Sequence, residues 1–279
     1  MHMFGLFRRN KTHSITGVSS FSMVLMSISQ QIKPIKQVEF EMADQSLQDV
    51  FDWLAEQENS RWLNGGHYML SEQMIGRYQL NLSRYLGSQT LPVVFSNCTE
   101  GMLHVLPLLN TTNKELGVIH IGNQFEMKPT LEPELGSAYH FALARFNELR
   151  LFCMGIDGVR QSEKELEYAE DLGCDWLTLP ECQFSHRFQL KEQLASFLSH
   201  CDQVVLNIDL ASLCPQSQVG TERYLEVHMV SRIIRHSLMS GKVKMVQLVG
   251  WKDKHIFSKS TLAILQELSE MVPTNDKVA

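Results

Sequence analysis

Long apolar runs, paired cysteines and clustered positive charge are all missing from this chain of 279 residues, and each absence removes a class of function. Nothing approaches the ~20 consecutive apolar residues of a membrane-spanning helix, so no membrane partner is expected. The cysteines, Cys98, Cys153, Cys174, Cys182, Cys201 and Cys214, lie far apart without a C-x-x-C pair, which argues against a zinc ribbon or a thioredoxin-like site. Most stand in apolar surroundings, as the buried reduced thiols of a cytoplasmic protein do. With a formal net charge of −6 and no dominant cluster of Lys and Arg, a nucleic-acid partner is not expected. Arg8, Arg9 and Lys11 precede a short apolar run, Phe21 to Ile28, in the manner of a secretory signal. Ser22 and Ser27 break that run and no A-x-A-like site follows, so it is not read as one. Internal repeats and low-complexity segments are absent as well.

What is present suits one sizeable α/β domain: 44% of residues are apolar and 20% charged. From about residue 90 onward, short β-rich runs alternate with helical patterns, which predicts a mostly parallel sheet covered by helices on both faces. The predicted strands are Pro92 to Phe95, Gly117 to Ile121, Leu151 to Gly155, Asp175 to Leu179, Val204 to Asp209 and Met245 to Val249. Their near-continuous apolar character fits strands buried on both sides. Ser162 to Glu165 reads as a capping box, followed by Leu166, Ala169 and Leu172 at helical spacing and a stop at Gly173. Leu47, Val50, Phe51 and Leu54 give a further amphipathic stripe, and Thr221 is placed as the cap of the longest helix, ending near Gly241. Residues 1–40 lack such periodicity and are read as an arm or edge segment, 41–273 as a single domain, and 274–279 as a frayed tail.

In open α/β sheets the ligand site lies beyond the carboxyl ends of the strands, so the residues just after each strand carry the chemistry. They are Ser96-Asn97-Cys98-Thr99-Glu100, then Gly122-Asn123-Gln124-Phe125-Glu126, then Asp209-Leu210-Ala211. In this order, over roughly residues 90–270, the chain resembles the ureohydrolase superfamily of arginases, agmatinases and formimidoylglutamases. That resemblance implies a three-layer α/β/α, arginase-like fold with a mostly parallel sheet, hydrolysis of guanidino or formimino C–N bonds, and assembly as a homo-oligomer. Family members carry G-G-D-H, D-A-H-x-D and S-x-D-x-D-x-x-D-P, which supply the ligands of two Mn²⁺ ions. These motifs fall on Ser96 to Thr99, on Gly122 to Glu126, and on the segment holding Asp209 and Ala211, with Leu213, Cys214 and Pro215 in place of x-D-P. Leu135 to Phe141 and Leu151 to Glu165 look like segments of the formimidoylglutamase branch.

The resemblance therefore implies metal positions at Thr99, Gly122, Gln124, Glu126, Asp209 and Ala211, of which only Glu126 and Asp209 are carboxylates. Two carboxylates do not offset two divalent ions, so two manganese ions are not expected and no cofactor is called for. A single hard cation such as Mg²⁺ is left open. Asp209 reads either as a residual ligand or as a cap on nearby backbone N–H groups, and Glu126 either as a ligand or as a solvated loop residue. His120, within a strand, reads as a core histidine or a base. His140 and Cys98 are the weak catalytic candidates, and no His–Asp pair accompanies Cys98. Ser137, Tyr139, Thr99 and Gln124 are the expected lining of a vestigial pocket. The acidic residue that follows the last strand in the family falls on Gly250, and the loop from Pro215 to Gly220 is short. The leading expectation is a non-catalytic binding or regulatory protein with an unknown small molecule or protein as partner. The alternative is an active hydrolase of formimidoylglutamate-like or guanidino substrates using replacement ligands.

Overall fold

The computed structural model describes residues 23–57, 62–110, 114–146, 148–214 and 224–272. Eight strands form one sheet: β1 (Met23–Gln30), β2 (Trp62–Leu70), β3 (Leu91–Ser96), β4 (Leu116–Ile121), β5 (Leu149–Ile156), β6 (Asp175–Thr178), β7 (Gln203–Asp209) and β8 (Val243–Val249). Their order is β2-β1-β3-β8-β7-β4-β5-β6, and every neighbouring pair is parallel. Every residue of β3 and of β4 is buried, as the apolar run of a strand covered on both faces requires.

Helices cover both faces. On one side α1 (Gln37–Ala55), α6 (Arg187–Ser199), α7 (Val227–Met239) and α9 (Lys259–Met271) pack Leu47, Leu194, Ile233 and Leu265 into a single apolar layer with alternate strand residues such as Leu25 and Leu206. On the other, α2 (Glu72–Leu86), α3 (Leu106–Leu109), α4 (Ala138–Arg145) and α5 (Glu163–Asp171) pack Leu82, Leu106, Tyr139 and Ala169 against Val24, Val118 and Val205. The period-two alternation of the strands divides the side chains between the two layers. Short α8 (Asp253–Ile256) follows β8. Among the described residues no helix is long and apolar enough to cross a membrane.

The predicted strands all form, and Ser162 caps α5 in a reciprocal box with Glu165. The segment read as an arm or edge is different: Met23–Gln30 lies inside the sheet, paired to β2 and to β3, and α1 begins within the same segment at Gln37. The apolar run that imitates a signal is thus largely an interior strand, and Ser27 within it donates to Leu47 O at 2.8 Å. The edge is β2 instead, which the pattern does not reveal because it is half-exposed and holds two glycines. A Cβ on Gly65 would meet Met26 Cγ at 2.6 Å, and Gly66, at φ +92°, sits where the β1–β2 register shifts. Among the described residues the longest helix is α1, not α7, and α7 begins at Val227 after Glu226. Thr221, the Pro215–Gly220 loop and the 274–279 tail lie outside the described residues.

Because β8 and β7 are inserted between β3 and β4, the carboxyl ends of these four strands stand side by side at the centre of the sheet. Here the post-strand segments singled out in the sequence come together.

Candidate functional site

After β3 the chain turns into a 3-10 helix, Thr99–His104, which draws Cys98, Thr99 and Glu100 inward; they are 1%, 3% and 0% exposed. Asn97 is occupied in holding β1, accepting from Gln30 N–H at 2.8 Å and donating to Gln30 O at 2.9 Å. Glu100 Oε1 accepts the backbone N–H groups of Gly136 (2.7 Å) and Ser137 (2.9 Å), so it fixes the loop that leads into α4. Its other oxygen, Oε2, is buried without a hydrogen-bond partner among the described residues.

After β4, Glu126 takes a left-handed backbone conformation, φ 54°, which turns its carboxyl group inward although the residue keeps some exposed surface. Burial, with Glu100 and Asp209 nearby, pushes its pKa up to about 8. Burial likewise raises Asp209 to about 6, although Asp209 Oδ1 accepts the Ala211 N–H at 2.9 Å and so caps the short helix after β7. Burial also raises Glu100. Glu126 therefore sits in a poorly solvated place within reach of the Glu100 and Asp209 charges, which disfavours its ionised form.

Beneath them runs a polar row across three neighbouring strands. Gln247, Asn207 and His120 are register partners on β8, β7 and β4. Gln247 Nε2 donates to Asn207 Oδ1 (3.1 Å), Asn207 Nδ2 approaches His120 Nδ1 (2.9 Å), and His120 Nε2 lies 3.0 Å from Gln124 O. A carbonyl can only accept, so the proton sits on Nε2 and Nδ1 accepts, from Asn207 and from the Tyr139 hydroxyl at 3.1 Å. Burial lowers the His120 pKa to about 4, which agrees with a neutral ring.

This ring decides how well the site suits manganese. A Cβ on Gly122 would lie 2.5 Å from His120 Nε2 and 2.8 Å from Cε1, so the imidazole fills the volume that a side chain at position 122 would need. Gln124 is exposed and only its backbone oxygen enters the network, while Ala211 offers no donor atom on its side chain. Among the described residues no group of His, Cys, Asp and Glu side chains has the grouping a metal ion requires. The donors present do not fit a pair of divalent ions.

The remaining candidates disperse. Tyr139 is wholly buried against His120, and Ser137 Oγ is engaged with the Glu134 backbone. His140 pairs through Nδ1 with the Tyr168 hydroxyl, on the α5 side. Cys98 is a buried thiol whose pKa burial raises well above the ordinary value, with Glu100 adding to it, which opposes thiolate formation. Gly250, at φ +150°, donates its N–H to Ser96 O at 2.8 Å. A cavity of about 310 Å³ opens beside Glu126, between the segment after β4 and α5. Gln124, Phe125, Glu126 and Tyr168 line it, with Lys128, Arg160 and Lys164 at its wall. Of the residues expected to line a pocket, Gln124 alone reaches this one.

Asn207 and Gln247 escape the sequence reading, and Glu100 enters it only as a post-strand residue with no role of its own. A signal existed: His120, Asn207 and Gln247 each break an apolar stretch of β4, β7 and β8, and the register aligns all three. A second arrangement, Ser27–His67–Asp44, mimics a nucleophile triad, with Ser27 Oγ 2.8 Å from His67 Nδ1 and His67 Nε2 2.9 Å from Asp44 Oδ1. Ser27 is fully buried and its hydroxyl also meets Leu47 O, so the trio ties β1, β2 and α1 together.

No protein-family model matches the chain, and no curated protein matches it in sequence. Solved structures do. Formimidoylglutamase from Bacillus subtilis superposes with a TM-score of 0.67 at 13% identity, covering 95% of this chain and 96% of that one. A formiminoglutamase variant from Trypanosoma cruzi, solved with Mn²⁺, gives 0.70 at 11% identity, covering 92% and 95%. Arginase from Bacillus subtilis gives 0.65 at 12% identity, covering 92% and 99%. The eight-stranded parallel sheet between two helical layers is therefore the fold that this chain shares with these arginase and formimidoylglutamase structures.

Proposed function

We propose that this chain is a ureohydrolase-fold protein that does not carry out manganese-dependent hydrolysis and acts as a non-catalytic binding or regulatory protein. The observation that carries the reading is the His120 ring lodged against Gly122, held by hydrogen bonds from two sides. A binuclear hydrolase uses its metals to bring the pKa of a bridging water toward neutrality, and several anionic or imidazole donors must act together for that. Here the imidazole nearest the site spends both nitrogens inside the protein, and Asp209 spends an oxygen on a backbone cap. The cavity beside Glu126 supports a binding role, since Phe125, Met127, Leu135 and Tyr168 alternate along its wall with charged Lys128, Arg160 and Lys164, a lining that suits a small polar ligand. The free cysteines accord with residence in a reducing compartment.

One observation favours the alternative of an active hydrolase with replacement ligands: Glu126 lies within electrostatic reach of Glu100 and Asp209, and Glu100 Oε2 is buried without a hydrogen-bond partner among the described residues. Incubation of the purified chain with Mn²⁺ and formimidoylglutamate, arginine or agmatine separates the two readings. The proposal expects no release of formamide or urea above the buffer rate. Mn²⁺-dependent turnover that Glu126→Ala abolishes would replace it with the alternative.

A further inference from the structure

The cysteines are scattered through the sequence, and the fold brings two of them into contact. Cys153 Sγ, in the middle of β5, lies 3.7 Å from Cys174 Sγ, in the turn between α5 and β6. Both side chains belong to the layer of α4 and α5, whereas Cys182 belongs to the opposite layer. Cys153 is 0% and Cys174 6% exposed. Cys174 stands at a margin: its neighbours Gly173 and Asp175 are exposed, and it precedes a strand of four residues that forms one edge of the sheet. The pairing of β6 with β5 begins only at Asp175, and the Cys174 N–H is tied to Ala169 O at 3.0 Å. Local opening is least costly at such an edge. Burial raises the Cys153 pKa well above the ordinary value and Cys174 adds to it, which keeps Cys153 a thiol at rest.

Bonded sulfurs stand about 2.05 Å apart, so this pair must close by roughly 1.7 Å to form a disulfide. Cys153 is paired on both sides, to β4 and to β6, so Cys174 makes the movement. We propose that Cys153 and Cys174 are a redox-modification site, oxidised to a reversible disulfide by a hydroperoxide. Cys174, nearer to solvent, attacks the peroxide: the S–O bond forms as the O–O bond breaks, leaving a sulfenic acid and, from hydrogen peroxide, a water. Cys153 Sγ then attacks the Cys174 sulfur. The S–S bond forms, the S–O bond breaks, and the departing hydroxide takes the Cys153 proton as a second water. The thiols lose the two electrons that the peroxide gains. A disulfide of this kind is a sensing device rather than a structural staple, as transient disulfides in reducing compartments are. It ties the turn between α5 and β6 to β5 directly behind the cavity wall: Trp176, the register partner of Cys153, packs edge-on against cavity-lining Phe125, with ring centroids 5.5 Å apart.

The test exposes the full, folded chain to hydrogen peroxide, alkylates the remaining thiols, digests with trypsin without reductant and maps the peptides by mass spectrometry. Peptide 151–160, which holds Cys153, is expected joined to peptide 165–187, which holds Cys174 and Cys182, and dithiothreitol should release both. Cys174→Ala should slow the loss of the Cys153 thiol at least ~10-fold, since a buried thiol is then left to meet the peroxide alone. Cys182→Ala, on the same peptide but in the opposite layer, should leave the cross-link intact. Unchanged circular dichroism shows that a variant is folded, and the peptide map of the unaltered chain decides the matter even where a variant is destabilised. Retention of both thiols in the folded chain would overturn the proposal, as would a sulfinic acid at Cys174 without a cross-link. So would a link that joins Cys153 to Cys182, or one that forms only in denaturant.

Discussion

Gly122→Asp is expected to lower the melting temperature by roughly 10 °C or more, with or without manganese in the buffer. The new Cβ would stand 2.5 Å from His120 Nε2, and that ring cannot retreat without abandoning its contacts with Gln124 O, Asn207 and Tyr139. Overpacking of this kind costs about 1–3 kcal/mol, and a carboxylate added beside Asp209 and Glu126 adds several more. Adding His120→Ala to the variant should return part of the loss, since it vacates the space. Thermal melts of the single and double variants check this. A Gly122→Asp protein that melts like the parent would mean that position 122 is open and a ligand there would be accommodated.

Glu126→Gln is expected to raise the melting temperature by roughly 5–10 °C at pH 8, with the gain shrinking toward pH 5. The sign follows from the pKa, raised from 4.5 to about 8. Between those values the folded chain holds a proton that the unfolded chain releases. The stability from this group is therefore complete below pH 4.5 and lost as pH rises through 8. Glutamine keeps the shape and removes the titration. His120 acts oppositely: its pKa is lowered to about 4, so stability falls as pH drops from 6.5 toward 4 in parent and variant alike. Melts at pH 5, 6.5 and 8 distinguish the two groups. A Glu126→Gln variant with the parent's pH profile would show that Glu126 is ionised and solvated.

The central strands were legible because burial on both faces leaves a strand nothing but apolar residues to display, as in LPVVFS and LGVIHI. β1 and β2 were not. β1 interrupts its apolar run with Ser27 and Ser29, which are buried and satisfied by α1, and β2 is an edge strand whose glycines make room for β1. The post-strand segments lie together because chain direction alone brings them to one edge of a parallel sheet. The part played by Glu100 was hidden, since it lies one residue beyond the segment matched to G-G-D-H and is turned inward by the helix that begins at Thr99. The polar row was hidden for a different reason: His120, Asn207 and Gln247 are remote in sequence, and strand register alone makes them neighbours. Asp209 could be read as ligand or cap, and its bond to the Ala211 N–H is the geometry of a cap.

The most direct measurement is the metal content of the chain purified from cells grown with added manganese, then dialysed and measured by elemental analysis against protein concentration. With the His120 ring filling the space at Gly122 and no side-chain donor at Ala211, far less than one equivalent of manganese per chain is expected. Two equivalents per chain, lost on Asp209→Ala, would contradict the account.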